Sequence, residues 1–117
     1  MSHTVLVVED EEDLRETMRE ALELNGFSVV AAEDGQVALE ALDHIDHVCL
    51  VLLDLLMPRM NGWDFLEALR ARPSFAEVPV VVHSSVPDQK LDSATRVLQK
   101  PMALKQLLAV VREYCAP

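Results

Sequence analysis

From Val48 to Leu53 the chain is apolar without alternation, and it then meets a single carboxylate, Asp54. A run of this length and character reads as a strand buried on both faces. Such a strand needs helices on each side of its sheet, and that arrangement belongs to parallel α/β folds. In those folds ligands and chemistry gather outside the carboxyl ends of the strands. Asp54 stands at such an end, so the other strand ends decide whether it works alone.

The flanking pattern supports parallel pairing. Thr4 to Val8 is β-branched and apolar; the acidic stretch Glu9-Asp10-Glu11-Glu12-Asp13 follows, and then Leu14, Met18, Ala21 and Leu22 recur at helical spacing. The helix is expected to stop near Asn25-Gly26, where glycine can take a left-handed C-cap conformation. Phe27 to Ala32 reads as a second strand, and Asp34-Gly35 turns the chain into a helix with Val37, Ala38, Ala41 and Leu42 inward. Beyond Asp54, Met57 to Gly62 is a loop of turn formers, and Trp63 to Arg72 forms a third helix that Pro73 ends. Pro79 to Val82 is a fourth strand running through His83 into Ser84-Ser85. Thr95 to Gln99 is a short fifth strand, and Met102 to Cys115 a last helix with Leu104, Leu107, Leu108 and Val111 on one stripe. Between Ser85 and Ala94 only Val86 and Leu91 offer buried anchors, which predicts a short or irregular fourth helix. A crossover helix between successive strands implies a parallel sheet.

The 117 residues suit one domain, 1–117, with one core. Aromatics make up only 4% and the net charge is −10, so bases would find no stacking surface, and phosphate backbones and anionic lipid are repelled. Direct nucleic-acid binding is therefore not expected, nor is membrane insertion, because the apolar runs are too short to cross a bilayer. Met1 to Thr4 carries no secretory pattern. Cys49 and Cys115 are too few and too unlike in setting to suggest a disulfide framework, and a reducing cytoplasm is the expected location.

With parallel strands, Glu9, Asp10, Asp54, Ser84 and Lys100 share one edge of the sheet. Crowded carboxylates repel one another, so the set calls for a divalent cation with oxygen ligands, and Mg²⁺ suits one or two carboxylates plus a phosphate. A hydroxyl and an ammonium fit the remaining oxygens of a phosphoryl group, and a carboxylate can itself be the nucleophile. Taken singly, each residue also has an ordinary explanation: acids at a helix start, serines in a turn, a solvated lysine. His3, His44 and His47 have no ligand spacing. His83, expected to be buried, reads as a hydrogen-bonded neutral imidazole without chemistry.

Four stretches in order carry a resemblance across essentially the whole chain: Val7-Val8-Glu9-Asp10-Glu11; Leu52-Leu53-Asp54-Leu55-Leu56-Met57-Pro58 with Asn61-Gly62; Pro79-Val80-Val81-Val82-His83-Ser84-Ser85; and Lys100-Pro101. The chain resembles a response-regulator receiver domain of two-component signalling, similar to the chemotaxis regulator. The resemblance implies a flavodoxin-like, doubly wound, five-stranded parallel sheet of order 2-1-3-4-5 with helices on both faces. It implies Asp54 as phosphoacceptor, served by a partner histidine kinase or histidine phosphotransfer protein, with an unidentified downstream protein partner. It further implies Mg²⁺ bound by Asp10, Asp54 and the Leu56 backbone carbonyl, with Glu9 acting through water, Ser84 as the switch hydroxyl, Lys100 pairing with the acyl phosphate, and a cis Lys100-Pro101 bond. Such a domain is a signalling switch that catalyses only its own phosphorylation and slow dephosphorylation.

Two departures fall on the surface formed by the fourth helix, fifth strand and last helix. Val97 stands where the family usually carries Phe or Tyr, and the connection from Ser84 to Lys100 is short. Leu56 and Val86 are apolar at positions that tune self-hydrolysis in the family, which implies a long-lived phosphoryl group. Two other readings remain: a docking module of the same fold without phosphorylation, and a small Mg²⁺-dependent phosphatase with an Asp nucleophile. The phosphatase type carries a second Asp two residues after the nucleophile, where this chain has Leu56.

Overall fold

The computed structural model describes residues 4–85 and 94–115. Five strands, β1 (Thr4–Val8), β2 (Ser28–Ala32), β3 (Leu50–Leu53), β4 (Val80–Ser84) and β5 (Arg96–Gln99), form one sheet. Its order is β2-β1-β3-β4-β5, and every pairing is parallel. The helices are α1 (Glu12–Leu24), α2 (Gly35–Leu42), α3 (Gly62–Arg70) and α4 (Leu104–Tyr114), with a 3-10 turn at Pro73–Phe75. The fold is the doubly wound one, in the strand order that the resemblance implies. The expected short fourth helix, with Val86 and Leu91, lies outside the described residues.

Alternation along the strands sorts the core into two layers. Leu6, Val8, Val51, Leu53, Val80 and Val82 pack with α2 and α3. Val5, Val7, Leu50, Leu52 and Val81 face Met18 and Leu22 of α1 and Leu107, Val110 and Val111 of α4. Each central strand thus buries both faces, which is why β1, β3 and β4 read as continuous apolar runs. The stripe of α4 differs from the sequence expectation. Leu107 and Val111 are buried, but Leu104, the first residue of the helix, is exposed and Val110 packs inward.

Local chemistry sets the helix ends. Glu12 and Asp13 complement the dipole at the start of α1. At the other end, the Asn25 side-chain amide donates to the Ala21 carbonyl, and Gly26 takes φ +91° to let the chain leave. Asp34 and Asn61 cap α2 and α3 by accepting from the Val37 and Asp64 amides, each at 2.9 Å.

The cysteines correct the sequence reading. Cys49 and Cys115 form a disulfide with Cα atoms 5.5 Å apart across 66 residues of sequence. Helix α4 runs back toward the amino ends of the strands, so its C-cap residue Cys115 arrives beside Cys49 at the entry of β3. Two settings that look unrelated in the sequence are neighbours across one layer.

Candidate functional site

The backbone brings the strand ends together before any side chain contributes. The Asp54 amide donates to the Val8 carbonyl, the Glu9 amide to Ala32, and the Lys100 amide to Ser84, at 2.9, 3.0 and 2.8 Å respectively. These bonds continue the parallel ladders one residue past each strand and leave Glu9, Asp54 and Lys100 at the carboxyl edge. Lys100-Pro101 is a cis peptide, as the resemblance implies.

Ligand-capable oxygens of Glu9, Asp10 and Asp54 lie within 4.8 Å of one another. Glu9 is fully buried and Asp54 only 4% exposed, whereas Asp10 is exposed. Glu9 is held at both oxygens: Oε1 accepts from Lys100 Nζ at 2.7 Å and Oε2 from the Glu11 amide at 3.0 Å. Lys100 Nζ also stands 3.5 Å from Asp54 Oδ2. One ammonium therefore serves two buried carboxylates, and it binds Glu9 more closely.

The electrostatics follow from this shortage of positive charge. Burial, then the charge of Glu9, pushes the Asp54 carboxyl up to about 7; Asp10 adds to the rise and Lys100 opposes it. Burial pulls the Lys100 ammonium down, but the hydrogen bond and charge of Glu9, with Asp54, outweigh it and leave its affinity for the proton raised. Three carboxylates within reach of one another, with one ammonium to offset them, form a donor set suited to a divalent cation, which would relieve the repulsion that burial enforces.

Ser84 ends β4 and is buried at the same edge. The Leu56 side chain is half exposed just beyond Asp54. His83 is buried and neutral, pushed down to about 3 by burial and by the nearby Lys100 charge. It departs from the expected hydrogen-bonded imidazole: Nδ1 is 3.7 Å from Glu9 Oε1, and Nε2 has no hydrogen-bond partner among the described residues. His3 and Val86 lie outside those residues.

Two arginines escaped the sequence reading. Arg15 in α1 donates through one NH to the Glu9 carbonyl at 2.9 Å and the Asp10 carbonyl at 3.4 Å, clamping the acidic loop onto the helix. The available signal is its place in the first turns of α1, where the helix dipole disfavours a cation unless a local acceptor repays it. Arg59, at φ 62°, reaches back with its Nε 2.7 Å from Asp34 Oδ2, tying the loop after Asp54 to the cap of α2.

A second feature of that loop is steric. A Cβ on Gly62 would stand 2.5 Å from the Asp54 carbonyl oxygen and 2.7 Å from the Leu55 Cα, while the Gly62 amide donates to the Leu55 carbonyl at 2.9 Å. Helix α3 can start directly against the backbone of Asp54 only because this residue has no side chain.

A doubly wound parallel sheet with a buried acidic pocket and one lysine at its carboxyl edge defines a phosphoryl- and cation-handling α/β domain. The response regulator receiver domain model matches residues 5–112, and the chain belongs to that family. It is 37% identical over 111 residues to the transcriptional regulatory protein CpxR of Escherichia coli (strain K12), covering 92% of this chain and 47% of that one. It is 39% identical over 120 residues to the response regulator MprA of Mycobacterium tuberculosis, covering 96% and 50%. The chain thus spans about half the length of these relatives. Among solved structures, the chemotaxis response regulator CheY4 of Vibrio cholerae superposes with a TM-score of 0.86 at 26% identity, covering 97% of this chain and 99% of that one. The response regulator TrrA of Thermotoga maritima, solved in complex with Mg(2+)-BeF, superposes at 0.83 with 24% identity, covering 97% and 99%.

Proposed function

We propose that Asp54 is the phosphoacceptor of this receiver domain, and that the phosphoryl group comes from a phosphohistidine on a partner histidine kinase or histidine phosphotransfer protein. The observation that carries the reading is the pocket itself: a nearly buried strand-end carboxylate with Lys100 Nζ at 3.5 Å and two further acids in reach. An Asp54 oxygen attacks phosphorus, one P–O bond forms, and the P–N bond of the donor breaks with its electron pair leaving on the imidazole. Lys100 balances charge on the transferred group, and the Ser84 hydroxyl, at the same edge, bonds a phosphoryl oxygen. Mg²⁺ fits the donor set of Glu9, Asp10, Asp54 and the Leu56 carbonyl, and when bound it supplies neutralisation of the crowded charge. The switched output is an interaction with a protein partner. The net charge of −10 opposes a direct role for this domain at a nucleic-acid backbone.

We also read residues 1–117 as one receiver unit working in the cytoplasm; no helix among the described residues is long and apolar enough to cross a membrane.

Incubation with acetyl phosphate and Mg²⁺, followed by intact mass spectrometry, tests the reading. One acid-labile phosphoryl group per chain is expected, mapping to Asp54. No labelling would leave a docking module of the same fold, and multiple turnovers of the donor would indicate a phosphatase.

A further inference from the structure

Strand β4 is apolar from Val80 to Val82 and then carries an imidazole, His83. Alternation puts the ring on the face of Val81, in the layer that packs with α1 and α4, and Glu9 stands two residues beyond Val7 of the same layer. His83 is 2% exposed and Glu9 fully buried. The Nε2 atom has no hydrogen-bond partner among the described residues. A leucine at this position would fill the layer without leaving a buried polar atom unpaired, which costs stability. The use of the ring is therefore sought at its other nitrogen.

Nδ1 faces Glu9 Oε1 at 3.7 Å, beyond hydrogen-bond length but a small shift away from it. Burial and the nearby Lys100 charge keep the ring neutral, and a neutral imidazole carries a single N–H. Beside a carboxylate that proton is favoured on Nδ1, where its positive end points at the anion. Oε1 already has a donor, because Lys100 Nζ stands 2.7 Å away, and Oε2 accepts from the Glu11 amide. The same ammonium is 3.5 Å from Asp54 Oδ2. Negative charge arriving on Asp54 draws Nζ toward it, and movement in that direction lengthens the bond to Glu9. A buried carboxylate that loses a donor is strongly disfavoured, so the move is easier when Oε1 gains another.

We infer that His83 is a positioning residue for this exchange: its Nδ1–H takes over Glu9 Oε1 as Lys100 Nζ turns to the phosphoryl group on Asp54. The acidic loop then keeps its place while the ammonium changes partner. The consequence for transfer rests on Asp54 as phosphoacceptor, but the exchange of donors at Glu9 can be read without phosphorylation.

The test uses the full chain labelled with ¹⁵N-histidine, with the His83 Nδ1 proton signal identified by its loss in His83→Leu. In Lys100→Met, with EDTA and no phosphoryl donor, that signal is expected to shift downfield as Nδ1–H closes on Oε1. In wild type the same shift should follow addition of Mg²⁺ with beryllofluoride, a mimic of the acyl phosphate. His83→Leu should slow acetyl-phosphate labelling of Asp54 by about tenfold, roughly what one net hydrogen bond contributes. It should not lower the thermal midpoint, because it also removes the unpaired Nε2. His83→Asn, whose amide nitrogen can stand near the place of Nδ1, should recover most of the rate. An Nδ1 signal that stays put in Lys100→Met, or a His83→Leu labelling rate equal to wild type, would overturn the inference. If wild type takes up no phosphoryl group while the signal still shifts in Lys100→Met, it is the phosphoacceptor assignment that fails, and the exchange at Glu9 stands.

Discussion

At the scale of single residues the site is governed by one imbalance, two buried carboxylates sharing one ammonium. Because the folded protein holds the Asp54 proton more tightly than the unfolded chain does, stability from the protonated form is complete below about pH 4 and is lost as pH rises through about 7. Asp54→Asn has no such proton to lose. In EDTA the variant is therefore expected to match wild type near pH 4 and to exceed it by roughly 2–4 kcal/mol at pH 8, while taking up no phosphoryl group. Urea denaturation across that pH range checks the first expectation; a variant less stable than wild type at pH 8 would contradict the assigned repulsion. Lifetime belongs to the same scale. Hydrolysis needs a water held in line with the acyl phosphate, and the apolar side chains of Leu56 and Val86 cannot orient one by hydrogen bonds. Combining Leu56→Asn with Val86→Glu should speed loss of phosphate by about tenfold once the donor is removed, a gain of the size a positioned hydrogen bond supplies. An unchanged release rate would mean that neither position guides the water.

At the scale of elements, the join between β3 and α3 is set by contact distance. The two nearest atoms facing the missing side chain of Gly62 are backbone, with the Leu55 Cδ2 next at 2.9 Å, so a shift of the Leu55 side chain alone cannot relieve an added methyl. Gly62→Ala is expected to destabilise by about 1–3 kcal/mol and to slow acetyl-phosphate labelling by displacing Asp54. Its cost should be visible both in the thermal midpoint and in the labelling rate, whereas a purely structural strain would lower the midpoint and leave the rate alone. The α1 clamp works similarly from the other side: Arg15 fixes the carbonyls of Glu9 and Asp10, so the acidic loop inherits the rigidity of a helix packed through Met18 and Leu22. Strand β5 is the least enclosed element: Val97, paired with Val82 and placed where the family usually has an aromatic residue, is 37% exposed.

For the whole molecule, the Cys49–Cys115 bond joins the last helix to the central strand at the edge opposite the acidic pocket. Closing a loop of 66 residues restricts the unfolded chain enough to contribute about 4 kcal/mol in the chain-entropy account. Reduction with dithiothreitol, or Cys115→Ala, should lower unfolding stability by about that amount and leave labelling at Asp54 intact, since the bond and the pocket lie at opposite ends of the strands. Equal denaturation midpoints with and without reductant would show that the reduced pair is held as well by α4 packing alone. Much of this architecture is legible along the chain, because strand length, helical spacing, the stop at Asn25-Gly26 and the turn at Asp34-Gly35 are local properties. So are the acids, serine and lysine that end the strands, once parallel pairing puts those ends on one edge. Tertiary structure alone decided that Lys100 bonds Glu9 more closely than Asp54, that Arg15 and Arg59 brace the loops, that Val110 replaces Leu104 in the core, that His83 Nε2 is buried without a partner among the described residues, and that Cys49 meets Cys115. Most of these depend on residues far apart in sequence, and all on distances of a few ångströms, which side-chain type and spacing do not encode until the layers have packed.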